Sequence, residues 1–109
     1  MREHRDRRLQ DGVTATADGK ELCTAGHSTA VFQVWGTFVG TITFEARLST
    51  GTWVAIKVTN LTTGNAATTT AAAGLYRADC AGLAVMRARV SAYTSGTIYV
   101  VARVSEAGS

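Results

Sequence analysis

Only two histidines could serve as the base of a nucleophilic mechanism in this chain, His4 in a charged N-terminal stretch and His27 in the segment AGHST. Such a mechanism needs a nucleophile and an orienting acid gathered around the imidazole, and neither histidine has a local Ser or Cys signature of that kind. Paired carboxylates for glycoside hydrolysis would have to come from Asp18, Glu21, Glu45, Asp79 and Glu106. Glu45 lies on a polar strand face beside Arg47, where a surface ion pair accounts for it. Cys23 and Cys80 lack the CxxC or Cys/His spacing of a zinc site. They read as free, buried or half-buried thiols, or as one disulfide if their strands are neighbours. Neither Ala17-Asp18-Gly19-Lys20 nor Thr63-Gly64-Asn65 has the carboxylate density of a calcium loop, and no GxGxxG or GxxxxGK[ST] motif is present. The expectation is a protein that is not an enzyme, with no catalytic residue, no cofactor and no metal.

The chemistry that remains is that of recognition. Trp35 and Trp53 fall on strand faces opposite the main apolar rows, where amphipathic aromatics anchor protein interfaces. The same rings, standing in a groove beside polar groups, would stack on a pyranose. Arg87, Arg89 and Arg103 are expected together on the outer face of a C-terminal hairpin with Tyr99 close by, and Arg2, Arg5, Arg7 and Arg8 crowd the N-terminus. The net charge of +3 is nevertheless dispersed, with four Arg against three acids in residues 1–11 and seven basic groups against five acids beyond. So mild a field does not suit nucleic acid, whose binders show a clustered basic footprint. These arginines and tryptophans are therefore the candidates for contact with another protein.

The elements that must carry them are strands. At 109 residues, 46% of them apolar and 17% charged, the chain has the size and composition of one folded domain. No apolar run is long enough to span a bilayer, and MREHRDRRLQDG lacks the apolar core of a signal peptide. The expectation is a soluble protein with no membrane partner. Residues 1–11 read as a charged arm ordered by contact with something else, and residues 12–109 as a single β-domain.

Strict alternation marks Thr41–Leu48, with Ile42, Phe44, Ala46 and Leu48 on one face. After Ser49-Thr50-Gly51-Thr52 the run Trp53–Val58 puts Val54, Ile56 and Val58 together, and the two runs read as a hairpin. A second hairpin pairs Ala84–Ser91 with Thr97–Val104 across Thr94-Ser95-Gly96, its core residues being Met86, Ala88, Val90, Ile98, Val100 and Ala102. Val31–Trp35, with Phe32 and Val34 inward, and Leu75–Cys80 add strands, and Val13–Ala17, Glu21–Thr24 and Ala66–Thr70 supply weaker ones. The sum is an all-β fold of about eight short antiparallel strands in a two-sheet sandwich of jelly-roll type. The low-complexity segment LTTGNAATTTAAAG reads as a surface loop or a weak edge strand.

The stretches FQVWGTFVGTITFEARLSTGTWVAIKV and AGLYRADCAGLAVMRARVSAYTSGTIYVVARV resemble small β-sandwich virion proteins of tailed bacteriophages. The resemblance runs from Phe32 to Val104 and contains no catalytic fingerprint. It implies a structural component of the virion, first a head decoration or cement protein binding the outer capsid and stabilising it. A tail or fibre-associated module is the alternative it implies, and a carbohydrate-binding module is a third reading, from the tryptophans. Proteins of the first kind commonly assemble as trimers, so the resemblance also implies a homo-oligomer, partnered by capsid or another virion protein, made in the host cytoplasm and located on the head surface.

Overall fold

The period-two rows become strands in the computed structural model, which describes residues 6–105. In chain order they are β1 (Arg7–Val13), β2 (Leu22–Cys23), β3 (Thr29–Trp35), β4 (Phe38–Arg47), β5 (Val54–Ala55), β6 (Val58–Asn60), β7 (Ala66–Ala67), β8 (Thr69–Thr70), β9 (Gly74–Asp79), β10 (Val85–Gly96) and β11 (Ile98–Ser105). One sheet has the order β1-β11-β3-β9-β6-β7 and the other β2-β10-β4-β5, with β8 also on β4, and every pairing is antiparallel. The chain passes between the sheets at every connection except β4 to β5 and β6 to β7, so first and last strands interleave in the jelly-roll manner. The strand total exceeds the expected eight because β2, β5, β7 and β8 are two-residue pieces.

The expected C-terminal hairpin does not form. β10 pairs with β4, from Val85↔Arg47 to Gly96↔Phe38, and β11 pairs with β3, from Tyr99↔Trp35 to Ser105↔Thr29. Thr94-Ser95-Gly96 is thus the end of a long strand, and the chain then turns into the other sheet. β3 and β4 turn at the same place, so residues 29–47 and 85–105 form one bent antiparallel ladder shared by both sheets. Strands that switch sheets in this way make the corners of closed β-architectures.

Glycines permit that corner. Gly36 has φ 114° and Gly96 φ 92°, a region that L side chains avoid, and Thr97 N–H donates to the Thr37 carbonyl at 2.9 Å. A Cβ on Gly96 would overlap the carbonyl oxygen of Thr37, and one on Gly36 that of Thr97.

Inward-facing rows of both sheets meet in a core containing Phe32, Val34, Ile42, Phe44, Ala46, Val58, Met86, Ala88, Val90, Ile98, Val100 and Ala102, all expected. Phe44 packs edge-on against Phe32 with centroids 5.3 Å apart, and Tyr76, the cross-strand partner of Phe32, lies 5.5 Å from the same ring. Full burial of each such ring contributes on the order of 2 kcal/mol. Leu9, Leu22, Ala30, Tyr76, Ala78 and Cys80 complete the core.

Two expected core residues are outside it: Leu48 and Val54 are 56% and 59% exposed, and Ile56 is only partly buried. The hairpin they belong to pairs only at Glu45↔Ala55 and Ala46↔Val54 before the chain leaves for β6 in the other sheet. Without a continuing ladder the alternation loses its inner face.

The expected arm is also revised. Residues 1–5, which include Arg2, His4 and Arg5, lie outside the described residues, but Arg7–Asp11 belong to β1, paired to β11. The anchor is two buried side chains in a charged stretch. Leu9 enters the core, and the amide of Gln10, 2% exposed, donates to Ala17 O at 3.1 Å and Ala88 O at 2.9 Å, linking both sheets.

Candidate functional site

Position along the bent ladder decides which polar side chains meet. On the outer face of the β4–β10 sheet, Arg87 lies directly opposite Glu45. Glu45 accepts from Arg87 Nε at 2.7 Å through Oε1, and Arg89 reaches it with Nε at 3.2 Å and Nη2 at 3.1 Å to the two carboxylate oxygens. The carboxylate is buried, so this is a charge-assisted cluster held away from bulk water. Burial pushes the Glu45 carboxyl up, but the hydrogen bonds and charges of Arg89 and Arg87 outweigh it and hold it below its ordinary value. A carboxylate neutralised in this way is a poor proton acceptor.

Trp53 closes the cluster. The guanidinium of Arg87 sits 4.2 Å from its ring centroid and that of Arg47 4.9 Å, distances at which cation–π attraction operates. Asp18 and Glu21 complete the surround, 3.8 Å from Arg87 and Arg47 respectively. Thr43 and Ser91 extend the polar row with hydroxyl oxygens 2.7 Å apart.

Arg103 does not join this group, contrary to the expectation from a hairpin. It lies on the other sheet, where its Nε donates to Asp6 at 2.7 Å. There Trp35 and Tyr99, opposite one another on β3 and β11, stack with centroids 5.1 Å apart and planes 9° from parallel. Arg8 lies 5.9 Å over the Trp35 ring and 3.3 Å from Asp11. Between this stack and Arg103, the side chains of Val31, Gln33, Leu75 and Val101 line an open depression of about 320 Å³. Arg7 is turned toward the edge of the sheet, donating to the Glu21 carbonyl at 2.7 Å.

The candidate residues therefore divide between two outer faces, Trp53 with Arg87 and Arg89 on one, and Trp35 with Arg8 and Arg103 on the other. Both tryptophans are partly buried with arginine over the ring, so a sugar stacking on either would compete with a guanidinium already there. Glu45 is the member that sequence reasoning undervalued. Its alternation with Arg47 was visible, but its pairing with Arg87 needs the β4–β10 register.

A separate apolar depression of about 420 Å³ lies at the Ser49–Thr52 end, where Leu48, Val54, Ile56 and Leu83 converge. Cys23 is exposed, Cys80 is buried, and both are free thiols. Among the described residues no three of His, Cys, Asp and Glu are grouped as a metal would need, and the buried Nδ1 of His27 has no hydrogen-bond partner.

Comparison with known proteins gives the lineage. No curated protein sequence matches the chain. Among solved structures, the SPBc2 prophage-derived protein YomS superposes with a TM-score of 0.83 at 23% identity, over 94% of this chain and 92% of that one. The PBSX exported protein XepA superposes with a TM-score of 0.88 at 17% identity, and here the chain spans 94% of itself but 37% of that protein. These likenesses establish the fold, and the XepA family model matches residues 3–104. The chain belongs to the XepA family.

Proposed function

We propose that this protein is a non-enzymatic phage structural protein that acts by binding a virion surface, with decoration of the head as its specific role. The observation that carries this reading is the presence of a Trp–Arg cluster on each outer face, Trp53 with Arg47 and Arg87 on one and Trp35 with Arg8 on the other. Rigid aromatic and guanidinium groups of this kind are what interface hot spots are made of. The surfaces are broad and open, which suits a protein partner better than a small substrate. Kinship with prophage-derived proteins supports the phage setting.

A second reading has its own support, since the relative XepA is described as an exported protein. On that reading the same surfaces act outside the producing cell and away from the particle. The test is sedimentation of purified protein with purified heads and, separately, tails of the phage that encodes it. Saturable binding to heads is the expected result. Binding to tails alone would replace decoration by a tail role, and recovery of the native protein in the medium without particles would favour the exported role.

A further inference from the structure

The stretch Val58–Tyr76 belongs to neither Trp–Arg face, and no Asp, Glu, Lys, Arg or His occurs in it. In the fold it forms two walls. β6 and β7 make a hairpin at the edge of the six-stranded sheet. At Thr68, whose carbonyl accepts from Phe44 N–H at 3.0 Å, the chain steps across to pair with β4 of the other sheet as β8. Between the hairpin and β8 lies a cleft of about 230 Å³. Its inner end is apolar or already satisfied. Val58 and Tyr76 are buried there, and the Tyr76 hydroxyl donates to Ala72 O at 2.8 Å and lies 2.7 Å from Thr70 Oγ1.

The rim is different. The β6–β7 turn is held by its own backbone, with Asn60 N–H donating to Asn65 O at 2.8 Å and Gly64 N–H to Asn60 O at 2.7 Å. Asn60 Oδ1 accepts from the N–H groups of Thr62 and Thr63 at 2.9 and 3.4 Å, and Thr63 Oγ1 accepts from Asn65 N–H at 3.2 Å. These bonds settle which end of the Asn60 amide is oxygen. Its nitrogen, with two donors, has no partner among the described residues, and neither do the Thr63 hydroxyl proton, the Asn65 amide group and the Thr69 hydroxyl. A turn already closed by its own hydrogen bonds thus presents neutral donors and acceptors in fixed positions, which is the condition for binding without an ordering cost.

We propose that this cleft is a binding site for a neutral pyranose. A sugar ring carries hydroxyls around its rim, each both donor and acceptor, and C–H groups on its faces. The hydroxyls match Asn60, Thr63, Asn65 and Thr69, and the C–H face matches Val58 and Ala67, which line the same cleft. No ionised side chain lines it, so a phosphate or carboxylate ligand would enter with its charge unpaired. The volume falls below that of drug-sized sites, which suits one ring. Neither Trp35 nor Trp53 takes part, so the objection that a guanidinium already covers those rings does not apply here. The inference goes beyond the proposed function and does not rest on it, since the cleft is complete within one chain and needs no particle.

The experiment is an amide NMR titration of the isotope-labelled full chain with glucose, galactose, mannose and N-acetylglucosamine, each added singly, and with glycerol as the control for a bare polyol. At least one of the four sugars is expected to bind saturably with a Kd in the millimolar range. It should shift the amides of residues 60–70 and leave those beside Trp35 and Trp53 in place. Asn60→Asp keeps an oxygen to hold the turn but removes the donating nitrogen, and Thr69→Val removes a hydroxyl at nearly constant shape. Each should weaken that binding roughly tenfold, the loss of one hydrogen bond, with circular dichroism unchanged. Failure of all four sugars to bind, shifts centred on a tryptophan, an equal response to glycerol, or variants that bind as the wild type does would overturn the proposal. Should Asn60→Asp not fold, the wild-type shifts and Thr69→Val decide.

Discussion

Arg89 holds Glu45 by two nearly parallel bonds, Nε to Oε1 at 3.2 Å and Nη2 to Oε2 at 3.1 Å, a fork matched to a fork. The geometry fixes both side chains at once, which single-point ion pairs do not do. Arg87 then has one place left on the carboxylate, and from it lies against Trp53. One buried acid on β4 thereby organises two arginines and a tryptophan from two other segments of chain.

The first prediction concerns that acid. Its carboxyl is held below the ordinary value in the folded state, so the stabilisation is complete above the unfolded-state value and is lost as pH falls through the folded one. Glu45→Gln should cost about 2 kcal/mol at neutral pH, with both arginines left short of their anion. The deficit should shrink under acid conditions, where the wild-type carboxyl is protonated too. Urea denaturation of both proteins at neutral and strongly acid pH measures it.

The corner glycines make a second prediction. Gly96→Ala forces a methyl group into the Thr37 carbonyl at φ 92°, and should cost more than about 2 kcal/mol from backbone strain and overlap together. Gly64→Ala, at φ 80° but with open space around it, should cost about 1 kcal/mol, from the backbone alone. Thermal melting of the pair separates the two contributions.

Core depth can be read from Phe44 and Leu48, on one strand and its continuation. Phe44→Ala should destabilise by about 3–5 kcal/mol, because the ring is fully buried against Phe32 and Tyr76. Leu48→Ala should change stability by less than about 0.5 kcal/mol, as surface substitutions do. Equal effects would show that the inner face continues past Arg47.

The thiols give a fourth. Burial, and then the charge of Asp79, push the Cys80 thiol up from its ordinary value, so it is both shielded and poorly ionised. Titration with a thiol reagent should modify Cys23 promptly in the folded protein and Cys80 only on unfolding. Prompt reaction of both would mean that the strand end at Asp79 opens readily.

What the sequence made legible follows from the difference between facing and pairing. Met86, Ala88 and Val90 point inward whatever strand lies beside them, so alternation places them correctly even though their partner is β4 and not β11. Thr94-Ser95-Gly96 has the composition of a hairpin turn, but the same glycine freedom serves a corner between sheets, and composition does not distinguish the two. That confusion put Arg103 beside Arg87 and Arg89. Leu9 and Gln10 were hidden for another reason, since four arginines and three acids in residues 1–11 mask two buried side chains. The jelly-roll class survived these errors because it depends on the number and spacing of strands more than on any one turn.

The pairing of β1 with β11 sets the order in which the molecule can be completed during synthesis. β1 leaves the ribosome well before its partner, which spans Ile98–Ser105. Until Ile98–Ser105 has been made, the underside of Leu9 has no sheet to join, and the Gln10 amide waits for Ala88. Folds dominated by such distant pairings form in milliseconds to seconds, far slower than local hairpins. β1 therefore docks only after β11 has been made, and a product truncated before Ile98 would present β1 unpaired.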